Sequence, residues 1–312
     1  MNASCRLRIG TATLGLVALV VGGCTDTGLR RVSLGNVAVV AGDFDFIEET
    51  LDSEGVGYDL FDGYIAQPFY DYDPTYTWWN IVNEVEDLLL NDGAIFHYNT
   101  VFLNCGMRGV GDRQYNGVFE DDQILVDDQA IADIRGFVEG GGSLYVSDWG
   151  YDLIERAWPN VIEFFGDDER IDDAQEGLPP DPEIEDNYAP VSARTAHIVD
   201  ADLLEGLGRS EGDDEIRIVF DVDSWAVMES INNEATSGKS RVLVEGDVIV
   251  RDPNAPTGYV FIERAPLMVM FSIGNRDGKV VFTSFHNNPQ VTSDVQAIMR
   301  QLIWGFDRDT TL

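Results

Sequence analysis

The residues whose types could do chemistry sit at the ends of short apolar runs. Ser147 and Asp148 follow the run at 143–146 and open a polar turn, with Trp149 and Gly150 next. His286 follows a late run at 279–284 and is succeeded by Asn287 and Asn288; Cys105 and Gly106 close the run at 100–103. In open α/β sheets, ligand and catalytic groups lie outside the carboxyl ends of the strands. A carboxylate and an imidazole meeting there can pair, share a cation or water, or exchange protons with a bound ligand. Ser147 adds a hydroxyl that a neighbouring base would activate. Nothing in the sequence around Cys105 shows such a base, and it reads as structural or, with Gly106, Trp149, Asn287 and Asn288, as lining a pocket. His97 and His197 belong to no metal-ligand pattern.

The elements that must position these residues are legible from periodicity. Ile131, Ile134 and Val138 mark a helix that Asp127 or Asp128 can cap; Gly140, Gly141 and Gly142 break it, and a strand, a sharp turn and a helix at 149–158 follow. Earlier, 32–40 reads as the first central strand, Asp43 as the cap of a helix carrying Phe44, Ile47 and Leu51, and 58–61 as a second strand. Trp78, Ile81, Val82, Val85, Leu88 and Leu89 form another helical stripe, and 100–103 a third strand. The aromatic stretch at 64–77 reads as a satellite core or as a sugar- or peptide-binding surface. Beyond the Pro-broken acidic stretch at 167–187, β-like runs at 216–220, 225–230, 241–245, 248–251 and 258–263 predict a β-rich insertion packed beside the first sheet. Strands at 266–273 and 279–284 and a last helix, with Ser293 and Gln296 as its capping box, complete the pattern. The expected fold is a three-layer, flavodoxin-like parallel α/β sheet built from 32–165 and 265–312, with 166–264 as acidic linker and β-rich insertion.

Composition narrows the partners. The 312 residues carry 56 Asp+Glu against 20 Lys+Arg, a formal charge of −36, which repels nucleic acid. An apolar content of 44% excludes a disordered acidic tail. The acidic surface suits a salty medium. Clusters at Asp43/Asp45, Asp71/Asp73 and 167–173 offer oxygen ligands for calcium, although none matches the twelve-residue EF-hand loop. No other cofactor is implied. At the N-terminus Arg6 and Arg8 precede an uncharged stretch at 9–21, too short for a comfortable membrane span, which ends in Val21-Gly22-Gly23-Cys24. This resembles a bacterial lipobox. It implies removal of 1–23, acylation of Cys24, a tether over 24–31 and an extracytoplasmic, lipid-anchored chain. The lack of an acidic residue at 25 points to the outer membrane. Cys105 then stands alone in the mature body, which excludes an intrachain disulfide without Cys24 and a cysteine-based metal cluster.

The order of elements resembles the class I glutamine amidotransferase-like superfamily. The resemblance is carried by 37–40, 100–106, 137–150 and 280–289. It implies an amidotransferase-like α/β domain with a nucleophile elbow at Asp148-Trp149-Gly150, in the place of Cys-x-Gly. It also implies a catalytic base at His286, in a Phe285-His286-Asn287-Asn288 run that is similar to the family's Phe-His-Pro-Glu. Asn104-Cys105-Gly106 resembles the strand-end glycines near the oxyanion region. Asp148 thus replaces the expected Cys and Asn288 the expected Glu. An amide accepts an imidazole N–H bond but brings no charge to stabilise an imidazolium. These departures argue against glutamine hydrolysis unless Cys105 lies beside His286. Three readings follow. The first is a non-catalytic envelope lipoprotein that binds or scaffolds a polar ligand, glycan or protein. The second is a hydrolase using Asp148 and His286, with Ser147 or a metal. The third is a calcium-stabilised adhesion or assembly protein.

Overall fold

The four residues of the first strand, β1 (Val37–Val40), are all buried, because both faces of the sheet they enter are covered. The computed structural model describes residues 36–64, 83–110, 124–125, 127–165, 192–220, 225–251, 255–276, 278–287 and 292–306. Cys24, Asn288, Asp71/Asp73, 167–187 and the aromatic stretch beyond Tyr64 lie outside them. Helix α1 (Ile47–Glu54) leads to β2 (Asp59–Asp62), then β3 (Asn83–Glu84), α2 (Val85–Leu89) and β4 (Thr100–Leu103). Next come α3 (Asp128–Glu139), β5 (Ser143–Ser147), a 3-10 turn at Asp148–Gly150 and α4 (Tyr151–Ala157). The later elements are β6 (Ile162–Phe164), β7 (Ser192–Ile198), α5 (Ala201–Gly206), β8 (Glu215–Phe220), β9 (Met228–Ile231), β10 (Ser240–Arg251), β11 (Tyr259–Ile273), β12 (Gly278–Thr283) and α6 (Ser293–Phe306).

Ten of these strands form one sheet in the order β3-β2-β1-β4-β5-β12-β11-β10-β7-β8, and β6 pairs with β9. Every pairing from β3 to β12 is parallel, and every pairing from β12 to β8 is antiparallel. The core order β2-β1-β4-β5-β12 is the flavodoxin-like arrangement, so the expected α/β class holds. Alternate residues feed two apolar layers, as a two-residue period requires. Ala38, Val40, Leu103 and Val146 pack with α2, α3 and α4 on one side; Val39, Phe102, Tyr145 and Val281 pack with α1 and α6 on the other.

Most of the segment expected beside the first sheet instead continues it, through β7, β8 and β10, while β9 pairs with β6. The runs at 241–245 and 248–251 form one strand, β10, with register shifts at Val242/Val244, Val244/Glu245 and Gly246/Val248. Those at 258–263 and 266–273 likewise form one strand, β11. Two expected caps also move. Asp43 does not cap α1, whose N-cap position is Phe46. Thr292, not Ser293, caps α6, its Oγ1 accepting the Val295 N–H at 3.2 Å. Asp127 caps α3 as expected, accepting from the backbone of Gln129 and Ala130. Among the described residues no helix is long and apolar enough to cross a membrane.

Candidate functional site

Register places the site. Val40 pairs with Leu103, Leu103 with Val146 and Val146 with Phe282, so four parallel strands end on one line. Cys105 is two residues past Leu103, and Asp148 is two past its partner Val146. His286 and Asp45 arrive from the ends of β12 and β1. The rim lies where the strand order reverses, with β2 on one side of β1 and β4 on the other, which is the usual ligand position in such sheets.

At this rim His286 Nε2 lies 3.0 Å from Asp148 Oδ2. Cys105 Sγ is 3.7 Å from the same oxygen. The three ligand atoms all fall within 4.8 Å of one another. The other carboxylate oxygen, Asp148 Oδ1, accepts the Ala226 N–H at 2.6 Å. Asp148 has a φ of +42°, in the left-handed region. Such a conformation costs a non-glycine residue on the order of 1–3 kcal/mol. The tight turn from β5 into α4 also requires Gly150, where a Cβ would come within 2.4 Å of Val146 Cγ1.

A second set of contacts fixes the first. Ser147 Oγ donates to Asp45 Oδ2 at 2.7 Å and accepts the Cys105 N–H at 3.0 Å. Asp45 Oδ1 accepts the backbone N–H groups of Phe46 at 2.9 Å and Asn287 at 3.0 Å. Phe44 stands with its ring edge-on to Trp149 and stacked on His286, with centroids 5.0 and 6.5 Å away. Gly106, at φ +78°, lets Phe44 pack against the Cys105 loop. Cys105, Ser147, Asp148, His286 and Asn287 are each no more than 2% exposed.

Burial governs the electrostatics. It pushes the Cys105 thiol up to about 11, against the pull of His286. Burial opposes charge on His286, but Cys105 and Asp148 outweigh it and hold its pKa well above the ordinary imidazole value. Burial also raises the Asp45 carboxyl, despite its four listening neighbours His286, Ser147, Asn287 and Phe46.

The geometry is convergent rather than relayed. A nucleophile–base–acid chain needs the acid and the nucleophile on opposite nitrogens of the imidazole. Here Asp148 Oδ2 lies against Nε2, and the thiol approaches that same carboxylate oxygen while also bonding the imidazole. The structure therefore brings together Asp148, His286 and Cys105, with Asn287 joined through its backbone. The Ser147 hydroxyl is engaged with Asp45, and half-buried Trp149 borders the cluster. The proximity of Cys105 to His286, which the sequence reading did not assume, follows from equal offsets past paired strand ends. Asp45 was read only as a calcium-type acid; both its oxygens accept bonds from the protein. His97 is exposed, and His197 pairs with Asp214 at 2.9 Å, away from the rim.

No family model matches this chain, and no curated protein matches it. Solved structures do. A ThuA-like protein of Bacteroides uniformis aligns over 90% of this chain and 94% of its own, at 7% identity and a TM-score of 0.47. The glutaminase domain of Trypanosoma brucei CTPS, with acivicin bound, aligns over 87% of this chain and 93% of its own, at 9% identity and a TM-score of 0.43. PurLQS of Thermotoga maritima aligns over 87% and 96%, at 12% identity and a TM-score of 0.43. All three TM-scores lie below 0.5, and at these identities the likeness assigns no residue a role.

Proposed function

We propose that this chain is a lipid-anchored envelope protein whose amidotransferase-like domain does not hydrolyse glutamine and instead holds a polar ligand or scaffolds a glycan or protein. One observation carries the reading. The side chain at the elbow is a carboxylate with both oxygens engaged, by His286 and by the Ala226 N–H, at 1% exposure. A buried, paired carboxylate is held in place by its partners rather than poised to attack. Burial of Cys105 supports the same conclusion, since it disfavours the thiolate, which is the nucleophile. The Cys24 lipobox supports extracytoplasmic anchoring, with the outer membrane as the destination.

The test is ammonia release from glutamine by the purified chain, alongside acyl labelling of cells expressing it. The expected result is no ammonia above the uncatalysed background and a label that disappears in Cys24→Ser. Release that depends on Cys105 would overturn the non-hydrolytic reading; a label unaffected by Cys24→Ser would overturn the anchor. A second reading, a hydrolase using Asp148 as nucleophile and His286 as base, is favoured by the left-handed backbone at Asp148, since such strain gathers at working residues. Turnover of an ester panel in oxygen-18 water that labels Asp148 would establish it in place of the first.

A further inference from the structure

From the convergence at the rim, we infer that Cys105, Asp148 and His286 form a three-ligand site for a thiophilic divalent metal ion of the zinc type. The inference rests on reading this cluster as a ligand-holding site. A tetrahedral ion with about 2.3 Å to sulfur and about 2.0–2.1 Å to nitrogen and oxygen sets its ligand atoms roughly 3.3–3.6 Å apart. The corresponding separations here are 3.7 Å from sulfur to carboxylate oxygen and 3.0 Å from imidazole nitrogen to that oxygen. Shifts of a few tenths of an ångström reconcile these two pairs, and the sulfur and the imidazole nitrogen lie within 4.8 Å of each other before an ion draws them in. Sulfur, imidazole and carboxylate together suit zinc or cobalt and disfavour calcium and magnesium, which take oxygen.

Outer contacts orient each ligand, as metal sites require. The Ala226 N–H fixes Asp148 through Oδ1 and leaves Oδ2 toward the other two ligands. The Trp149 backbone bonds the Cys105 sulfur, and Ser147 Oγ holds the Cys105 backbone. The three side chains stand on the ends of three hydrogen-bonded strands, β4, β5 and β12, so little has to be ordered on binding. Three protein ligands are the number that leaves a fourth position for water or a ligand atom.

The experiment titrates the metal-free full-length chain with cobalt and then with zinc, and compares it with Cys105→Ser, Asp148→Asn and His286→Ala. The expected result is a thiolate-to-cobalt charge-transfer band that saturates at one ion per chain, is discharged by zinc and survives excess calcium. Each substitution should weaken zinc binding by more than the roughly 10–100-fold typical of losing an outer contact. A wild-type chain without the band, or a band that persists in Cys105→Ser, overturns the inference. X-ray absorption of the zinc-loaded wild-type chain decides without any variant: a shell with one sulfur supports the site, and a shell of nitrogen and oxygen only refutes it. Ammonia release from glutamine is measured on the same samples. Release together with the band sinks the non-hydrolytic reading and keeps the metal; neither sinks the metal and keeps the reading.

Discussion

At the scale of single residues, Asp45 holds the site together without reaching its centre. Its two oxygens accept three hydrogen bonds, from Ser147, Phe46 and Asn287, and thereby tie the end of β1 to those of β5 and β12. Asp45→Ala strands two buried donors, each worth roughly 1–3 kcal/mol, and the part-buried Phe46 N–H, whereas Asp45→Asn keeps an acceptor for the two amides. Chemical denaturation should show a loss of at least about 2 kcal/mol for the alanine and little for the asparagine. The pH dependence has a definite sign. Burial raises the Asp45 pKa, so the folded chain binds that proton more readily than the unfolded one. Its contribution to stability is greatest in acid and falls as the pH climbs through the folded value. The gap between Asp45→Asn and wild type should therefore close as the pH is lowered. Asp148 and His286 were legible in the sequence because each directly follows a strand-like run. Cys105 and Asp45 were not recognised as their neighbours, because their proximity depends on which strands pair and in what register.

Secondary-structure elements show the same division. Asp127 was legible as a cap because an acid stands immediately before a clear helical stripe. At α6 two hydroxyl residues adjoin, and the pattern Ser293 to Gln296 drew the boundary one residue late. Thr292→Ala should cost about 1 kcal/mol in thermal or denaturant melts and Ser293→Ala much less; the reverse order would restore the boundary read from sequence. The continuity of β11 was hidden by Pro266, which normally ends a central strand. It is tolerated because β12 pairs with β11 only from Met268 onward, so Pro266 is locally on an open edge.

For the molecule as a whole, the parallel half was written in alternating apolar runs and glycine turns. In the antiparallel half β8, β10 and β11 were recognised as strands and β7 was not, and face-to-face packing and edge-to-edge extension share one sequence pattern. The formal charge of −36 acts on both halves. Self-repulsion of that size weakens a compact state and is screened by salt. The melting temperature should rise as sodium chloride goes from about 0.1 M to about 1 M, where the screening length drops from about 10 Å to about 3 Å. Potassium should match sodium; a flat profile would mean that the acids are already neutralised within the fold. The hydrogen bond from Ala226 to Asp148 has one more consequence. The amide that seats this carboxylate comes from the segment leading into β9, which pairs with β6 outside the ten-stranded sheet, so a minimal fragment cut down to the parallel strands would lack the donor that fixes its key acid.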